Sequence, residues 1–343
     1  MCGIAGVRRF GKTPITGEEL VAMLCALEHR GLHATGLALV NPDGIHVLKA
    51  PIPAWKYTRS KEFEEFIEQQ LSEETEIALL HTRWATVGNP IFNENNHPMW
   101  DGETAVVHNG SIGNAGFVFN EKKYKKTCET DSDIIRATVA EHGFTEKGIR
   151  ELSKLSGSAA IACVSTKYPG KLLIGRSGSP LCYGFDETGD KLYWASEAQA
   201  IIKAAKPYRL VRNVWVQDTK CNIAIGSMPD NTVWLFGPTE CEMHMPMTIC
   251  TQYRQPDYSK GRENYHQKTK AWKREARFKQ SGGVNHVKDI VVVQPTKVET
   301  DKLLQEPSPG AVIKCPGCGV GVINKTGKAW KDLQCGKCKS ALA

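Results

Sequence analysis

Along residues 1–226 the apolar runs come as strands, then helices, then strands again, then one helix. That order restricts the chain to stacked sheets covered by helices. Thr16-Gly17-Glu18-Glu19 is a capping-box pattern, and Leu20, Met23, Leu24 and Leu27 follow at helical spacing up to Gly31. GLALV (36–40) and IHVLK (45–49), joined by Asn41-Pro42-Asp43-Gly44, predict a hairpin. EIALLHTRW (76–84) and ETAVVHNG (103–110) are apolar strands that end abruptly in polar residues, where a site can be built on a rigid frame. Helices are expected over 131–143 and 145–155, and short strands at SAAIACVST (158–166), KLLIGRSG (171–178), PLCYGF (180–185) and KLYWAS (191–196). A helix from Glu197 to about Ala205 and strands near 214–217 and 221–225 follow.

The 343 residues are 41% hydrophobic and 24% charged, as in an ordinary globular protein. No apolar stretch reaches the length of a membrane span and no signal-peptide pattern opens the chain, so a cytoplasmic protein with no membrane partner is expected. Charge is uneven. Residues 1–250 carry 26 Lys and Arg against 29 Asp and Glu, and residues 251–343 carry 18 against 8. The texture changes near residue 240, which gives a first domain over 1–240 and a basic linker or arm over 241–310. Within that arm DIVVV (289–293) is apolar enough to add one strand or contact another chain.

Residues 311–343 form a third module. Of the 12 cysteines, Cys315, Cys318, Cys335 and Cys338 stand as two Cys-x2-Cys pairs sixteen residues apart. Four thiolates at this spacing can close a tetrahedral, structural zinc site, a small zinc ribbon. Its lysines and Trp330 are compatible with nucleic acid or another acidic partner, and equally with simple solubility.

The chain opens MCGIAGV. Methionine before a small residue is usually trimmed, which would leave Cys2 with a thiol and a free α-amine, a nucleophile carrying its own base. Taken singly, Arg83 reads as a surface ion pair, Asn109-Gly110 as a turn and Asp131 as a helix cap. Taken together they suit an amino acid amide. Its two opposite charges call for an arginine and a carboxylate, and its amide carbonyl for a nucleophile and an oxyanion hole.

MCGIAG (1–6), LEHRGLHATGLALV (27–40), HTRWAT (81–86), NHP (96–98), VVHNG (106–110), ETD (129–131) and RSGSPL (176–181) occur in that order. Over roughly residues 1–226 they resemble the glutaminase domain of class II glutamine amidotransferases, and most nearly the glutaminase half of glucosamine-6-phosphate synthase. The resemblance implies an α+β fold, the four-layer αββα sandwich of N-terminal-nucleophile hydrolases. It implies hydrolysis of L-glutamine to glutamate and ammonia with no catalytic cofactor. Cys2 is then the nucleophile, Asn109 and the Gly110 N–H the oxyanion hole, Arg83 the grip on the α-carboxylate and Asp131 the receiver of the α-ammonium. Trp84, Thr86 and His97 line the pocket, and Arg30 frames the nucleophile's end. The sequence departs from the family at Val87, where a histidine is usual, and at Ser111 and Gly113, where bulkier residues are common. The residues beyond 226 are too few for a synthase half, so a separate ammonia-accepting synthase is expected. The alternative is an idle glutaminase fold that binds nucleic acid or a protein through its ribbon.

Overall fold

The computed structural model describes residues 1–205 and 223–247, with the strand backbones at 208–211, 214–217, 291–293, 312–314 and 321–323. Along the chain, β1 (Gly3–Arg9) leads to α1 (Gly17–Leu27) and to the hairpin of β2 (Ala34–Asn41) and β3 (Gly44–Ala50). Then come α2 (Ala54–Tyr57), α3 (Lys61–Gln70), β4 (Ile77–Arg83), β5 (Met99–Trp100) and β6 (Thr104–Ile112). Three helices follow, α4 (Ala115–Lys122), α5 (Asp133–His142) and α6 (Glu146–Leu152). Next are β7 (Gly157–Ser165), β8 (Leu172–Ser177), β9 (Cys182–Phe185), β10 (Lys191–Ala195) and α7 (Ala198–Ala205). The remaining strands are β11 (Tyr208–Val211), β12 (Val214–Gln217), β13 (Ala224–Ser227), β14 (Thr232–Phe236), β15 (Cys241–Pro246), β16 (Val291–Val293), β17 (Val312–Lys314) and β18 (Gly321–Ile323).

Two large antiparallel sheets result, in the orders β13-β9-β10-β1-β4-β2-β3-β16 and β15-β14-β8-β7-β6-β5, beside the two-stranded pairs β11-β12 and β17-β18. Alternation along the strands gives each sheet two apolar faces, and three separate clusters bury them. Ile4, Val40, Leu79, Val107, Ala160 and Ile174 meet between the sheets. Leu20, Met23, Leu24 and Leu27 of α1, with Ile201 of α7, cover the outside of the first sheet against Leu37, Leu80 and Tyr193. Ile134 and Ile135 of α5 and Ile149 of α6 cover the outside of the second. The layers are therefore helix, sheet, sheet, helix. Each leucine-sized side chain so buried contributes roughly 1.5–3 kcal/mol.

The capping box of α1 is formed: Thr16 Oγ1 accepts from the Glu19 N–H at 3.3 Å, and Glu19 Oε2 accepts from the Thr16 N–H at 2.8 Å. The small residues of MCGIAG have a packing reason. A Cβ on Gly6 would lie 2.1 Å from the Trp194 ring, and one on Gly3 would lie 2.6 Å from Thr82 Oγ1. DIVVV supplies β16, which pairs with β3. The second sheet runs past the composition change at 240, because β15 pairs with β14 along Thr232–Phe236.

The chain divides into two compact units, Met1–Pro295 and Thr296–Ala343. In the second unit β17 and β18 pair antiparallel, with Lys314 opposite Gly321. The four cysteines expected to hold zinc, Cys315, Cys318, Cys335 and Cys338, lie outside the described residues, as does most of the basic arm. Among the described residues no helix is long and apolar enough to cross a membrane.

Candidate active site

Central strands β1 and β4 deliver the first components. They pair antiparallel with Gly3 opposite Thr82, so Cys2, just ahead of β1, arrives beside the end of β4. The backbone of Trp84 cradles the Cys2 thiol. Its N–H donates to Sγ at 3.4 Å, and Sγ donates to its carbonyl at 3.6 Å. Burial pushes the thiol's pKa up; the Trp84 N–H, Arg83 and the amino terminus oppose that push, and Asp131 adds to it. The amino terminus, here on Met1, moves the other way: burial lowers its pKa, Cys2 opposes this and Arg30 reinforces it. Both shifts favour uncharged forms, a thiol beside a free amine.

Arg83, the last residue of β4, is buried and its guanidinium is largely engaged. Nη1 donates to Asn96 Oδ1 at 2.7 Å, and Nη2 donates to the carbonyls of Val87 and Gly88 at 2.6 and 3.0 Å. Val87, which replaces the usual histidine, thus serves through its backbone while its side chain stays exposed. The 84–98 loop is held by its own asparagines. Asn96 Nδ2 donates to the Pro90 carbonyl at 2.7 Å, and Asn95 exchanges hydrogen bonds with Glu129 at 2.9 and 3.0 Å. Beneath it, buried Lys49 donates to the carbonyls of Asn96 and Pro98 at 2.8 and 3.1 Å. Desolvation brings this lysine's pKa down to about 8.

The second sheet contributes the end of β6. His81 Nε2 donates to the His108 carbonyl at 3.1 Å and bridges the sheets one residue before Asn109. Asn109 is buried, and its Nδ2 finds no acceptor among the described residues. Leaving such a donor unpaired costs about 1–3 kcal/mol. Gly110 has φ of +152°, and a Cβ there would lie 2.0 Å from the Ser158 carbonyl oxygen, so only glycine fits. Asp131 precedes α5 without capping it. One carboxylate oxygen accepts from the Ile112 N–H at 2.6 Å, and the other has no partner among the described residues.

The remaining expected residues occupy different surroundings. Trp84 is half-buried with its ring 5.0 Å from that of His33, and Thr86 is exposed. His97 is buried, stacked on His81 with ring centroids 4.0 Å apart, so it backs the site from inside the fold. Arg30 Nε donates to the Cys2 carbonyl at 2.9 Å. Asn96, Lys49, Glu129, His33, His81 and Glu197 also belong to the arrangement, although sequence reasoning did not single them out. His33, His81, Asn96 and Glu129 lie inside the motifs that carry the resemblance, whereas Lys49 and Glu197 carry no such signal. Among the described residues no cluster of histidine, cysteine or carboxylate side chains is arranged to hold a metal.

Residues 81–203 match the family described as "Glutamine amidotransferase domain". The glutamine–fructose-6-phosphate aminotransferase (isomerizing) of Clostridium acetobutylicum is 33% identical over 220 residues, covering 62% of this chain and 34% of the relative. Its counterpart in Thermotoga maritima is 33% identical over 193 residues, covering 54% and 30%. This chain spans about a third of the length of these curated relatives. Two solved structures share the fold. One is the allosteric regulatory enzyme of purine biosynthesis, with TM-score 0.55 and 16% identity over 73% of this chain and 50% of that one. The other is the glutamine phosphoribosylpyrophosphate amidotransferase of B. subtilis, with TM-score 0.53 and 17% identity over the same shares, 73% and 50%. Over residues 81–203 this chain is similar to a glutamine amidotransferase domain, and its two large antiparallel sheets with their helical covers share the fold of those two solved structures.

Proposed function

We propose that this protein is a glutaminase that hydrolyses L-glutamine to glutamate and ammonia through Cys2, after removal of Met1, and passes the ammonia to a separate acceptor enzyme. The observation that carries this reading is the Cys2 thiol held by the Trp84 backbone beside Arg83. Met1 is 76% exposed, open to an aminopeptidase. Once it leaves, the Cys2 amine takes the thiol proton as sulfur attacks the side-chain amide carbon. Negative charge develops on the amide oxygen, and the unspent Asn109 Nδ2 and the Gly110 N–H receive it. Collapse releases ammonia, protonated by the same amine, and water then cleaves the glutamyl thioester with the amine as base.

The free amino acid's ends find opposite charges. Arg83 retains Nε–H and one Nη1–H for the α-carboxylate, and the free oxygen of Asp131 takes the α-ammonium. Trp84 and Thr86 line the entrance, Arg30 holds the nucleophile's carbonyl, and His97 supports the Arg83 loop from behind. At the far end, Cys315, Cys318, Cys335 and Cys338 would hold a structural zinc, which would fix the fold of that module. The β17–β18 pairing supports this, because it brings together the two ends of the segment that carries Cys315 and Cys318. The basic excess of residues 251–343 supports docking to an acidic partner such as nucleic acid.

The test is glutamate release from glutamine by the trimmed protein. Cys2→Ala should lower it by at least about a thousandfold, and a variant as active as wild type would sink the reading. Wild type that releases none, with or without candidate acceptor enzymes, would favour the idle, ribbon-binding alternative. Changing Cys315 and Cys318 to serine should abolish zinc, measured by elemental analysis, and leave glutaminase turnover intact.

A further inference from the structure

The corner between β10 and α7 grips the nucleophile strand at two points. Ser196 Oγ accepts from the Ile4 N–H at 3.0 Å, and the Ser196 N–H donates back to the Ile4 carbonyl at 2.8 Å. One residue on, a Glu197 oxygen accepts from Arg30 Nη1 at 2.7 Å, and Arg30 Nε donates to the Cys2 carbonyl at 2.9 Å. The other Glu197 oxygen lies 3.1 Å from His29 Nε2. Arg30 is only 8% exposed, and its Nη2 is buried without a partner. Glu197 is therefore the sole carboxylate paired with this buried guanidinium among the described residues.

We propose that Glu197 is a positioning residue for the nucleophile: acting through Arg30, it fixes the Cys2 end of β1 and cancels a positive charge beside the amino terminus. This rests on the reading of Cys2 as nucleophile. Without the carboxylate, Arg30 would be a buried cation facing one neutral carbonyl, and its uncompensated field would fall on the amine and thiol. Those two groups also face Arg83 from β4, Asp131 from the segment before α5, and His33 beside Trp84. The pairing is strong enough that the Glu197 carboxyl stays below its ordinary pKa: burial pushes it up, but the Arg30 and His29 hydrogen bonds outweigh that.

Glu197→Gln removes the charge and keeps the shape. In the full-length, methionine-trimmed protein kcat should fall roughly ten- to a hundredfold, with KM changed by less than about twofold. The acid limb of the pH–rate profile should move to lower pH by roughly half a unit to one unit, because added positive charge disfavours the protonated amine. Iodoacetamide alkylation of Cys2, followed by mass on the N-terminal peptide across pH, reads the same shift without glutamine turnover. Glu197→Asp, which keeps the charge, should leave the limb at its wild-type position. In an Arg30→Gln background the Glu197→Gln shift should vanish, because Glu197 acts through that arginine.

A limb that stays put in Glu197→Gln, whatever happens to kcat, overturns the proposal, since a merely structural role would leave it unmoved. Persistence of the shift without Arg30 overturns it as well. Cys2→Ala measured in parallel separates the two readings. If that variant keeps glutaminase activity, the assignment of Cys2 fails and this proposal falls with it. A dead Cys2→Ala beside an unshifted Glu197→Gln sinks the role of Glu197 alone.

Discussion

On the β4 side of the site most polar groups are already engaged, whereas on the β6 side more are held in reserve. Arg83 donates to Asn96, Val87 and Gly88, Asn96 donates onward to Pro90, and Lys49 clamps the loop from beneath. Across the gap, Asn109 Nδ2 is buried with no acceptor among the described residues, and Asp131 has used one oxygen of two there. The first side holds a shape; the second keeps donors and acceptors ready for a substrate. A group that must stabilise charge appearing only during reaction gains most if no resident partner has to be displaced. The side that grips an unchanging carboxylate can be assembled in advance.

The sharpest way to break this contrast is Asn109→Ala. It should lower kcat about 10²–10³-fold with little change in KM, because the lost donor acts on the developing oxyanion. It removes no side-chain hydrogen bond found among the described residues, so the melting temperature should move by only a few degrees. A large KM effect, or a large loss of stability with kcat intact, would place Asn109 on the finished side instead. The mirror experiment is Arg83→Lys. An ammonium cannot reproduce the planar fork, so KM for glutamine should rise roughly ten- to a hundredfold with a smaller change in kcat. Stability should fall by about 1–3 kcal/mol as buried loop carbonyls lose their donors. Steady-state kinetics paired with urea unfolding distinguishes the two signatures.

The same contrast explains what could be read in advance. The capping box at Thr16, the hairpin of GLALV and IHVLK, and the strand end at Arg83 depend on neighbours a few residues away, and all three formed. By contrast, β6 runs three residues past Asn109 to Ile112, because its pairing with β7 continues there. No element was expected over 51–75, yet the short α2 and the longer α3 lie there, and α3 is the instructive one. Its apolar face is only Phe63, Phe66 and Ile67 among charged neighbours, too narrow a stripe to stand out. The resting partners of the site were hidden for a different reason. Glu197 stands 167 residues from Arg30, and Lys49 stands 47 from Asn96. Only sheet pairing brings them together, and no local period encodes such contacts. The strand β15 was masked by the drop in hydrophobic content near 240, since most of its residues face solvent.

Between the two sides, His81 of β4 ties the sheets together, and the mildest test concerns its protonation. Its Nε2 donates to the His108 carbonyl, and its ring stacks on His97 at 4.0 Å with planes 21° apart. Desolvation lowers the pKa of His81 to about 3 and that of His97 well below the ordinary histidine value. The unfolded chain takes up a proton on His81 near pH 6.5, whereas the folded chain refuses it until about pH 3. Stability from this group is therefore complete above pH 6.5 and is lost progressively as pH falls below it. At pH 5 the loss from His81 alone is about 2 kcal/mol. His33, brought down to about 4 by burial, Arg83 and the amino terminus, adds a loss of the same sign. His81→Gln keeps an N–H for the His108 carbonyl and removes the titration. Its unfolding free energy should drop less between pH 7 and pH 5 than that of wild type, by about that same amount, in urea titrations at the two pH values. Equal slopes would mean that the bridge between the sheets accepts a proton without cost, and that the two sides of the site are less firmly joined than the hydrogen bond at 3.1 Å implies.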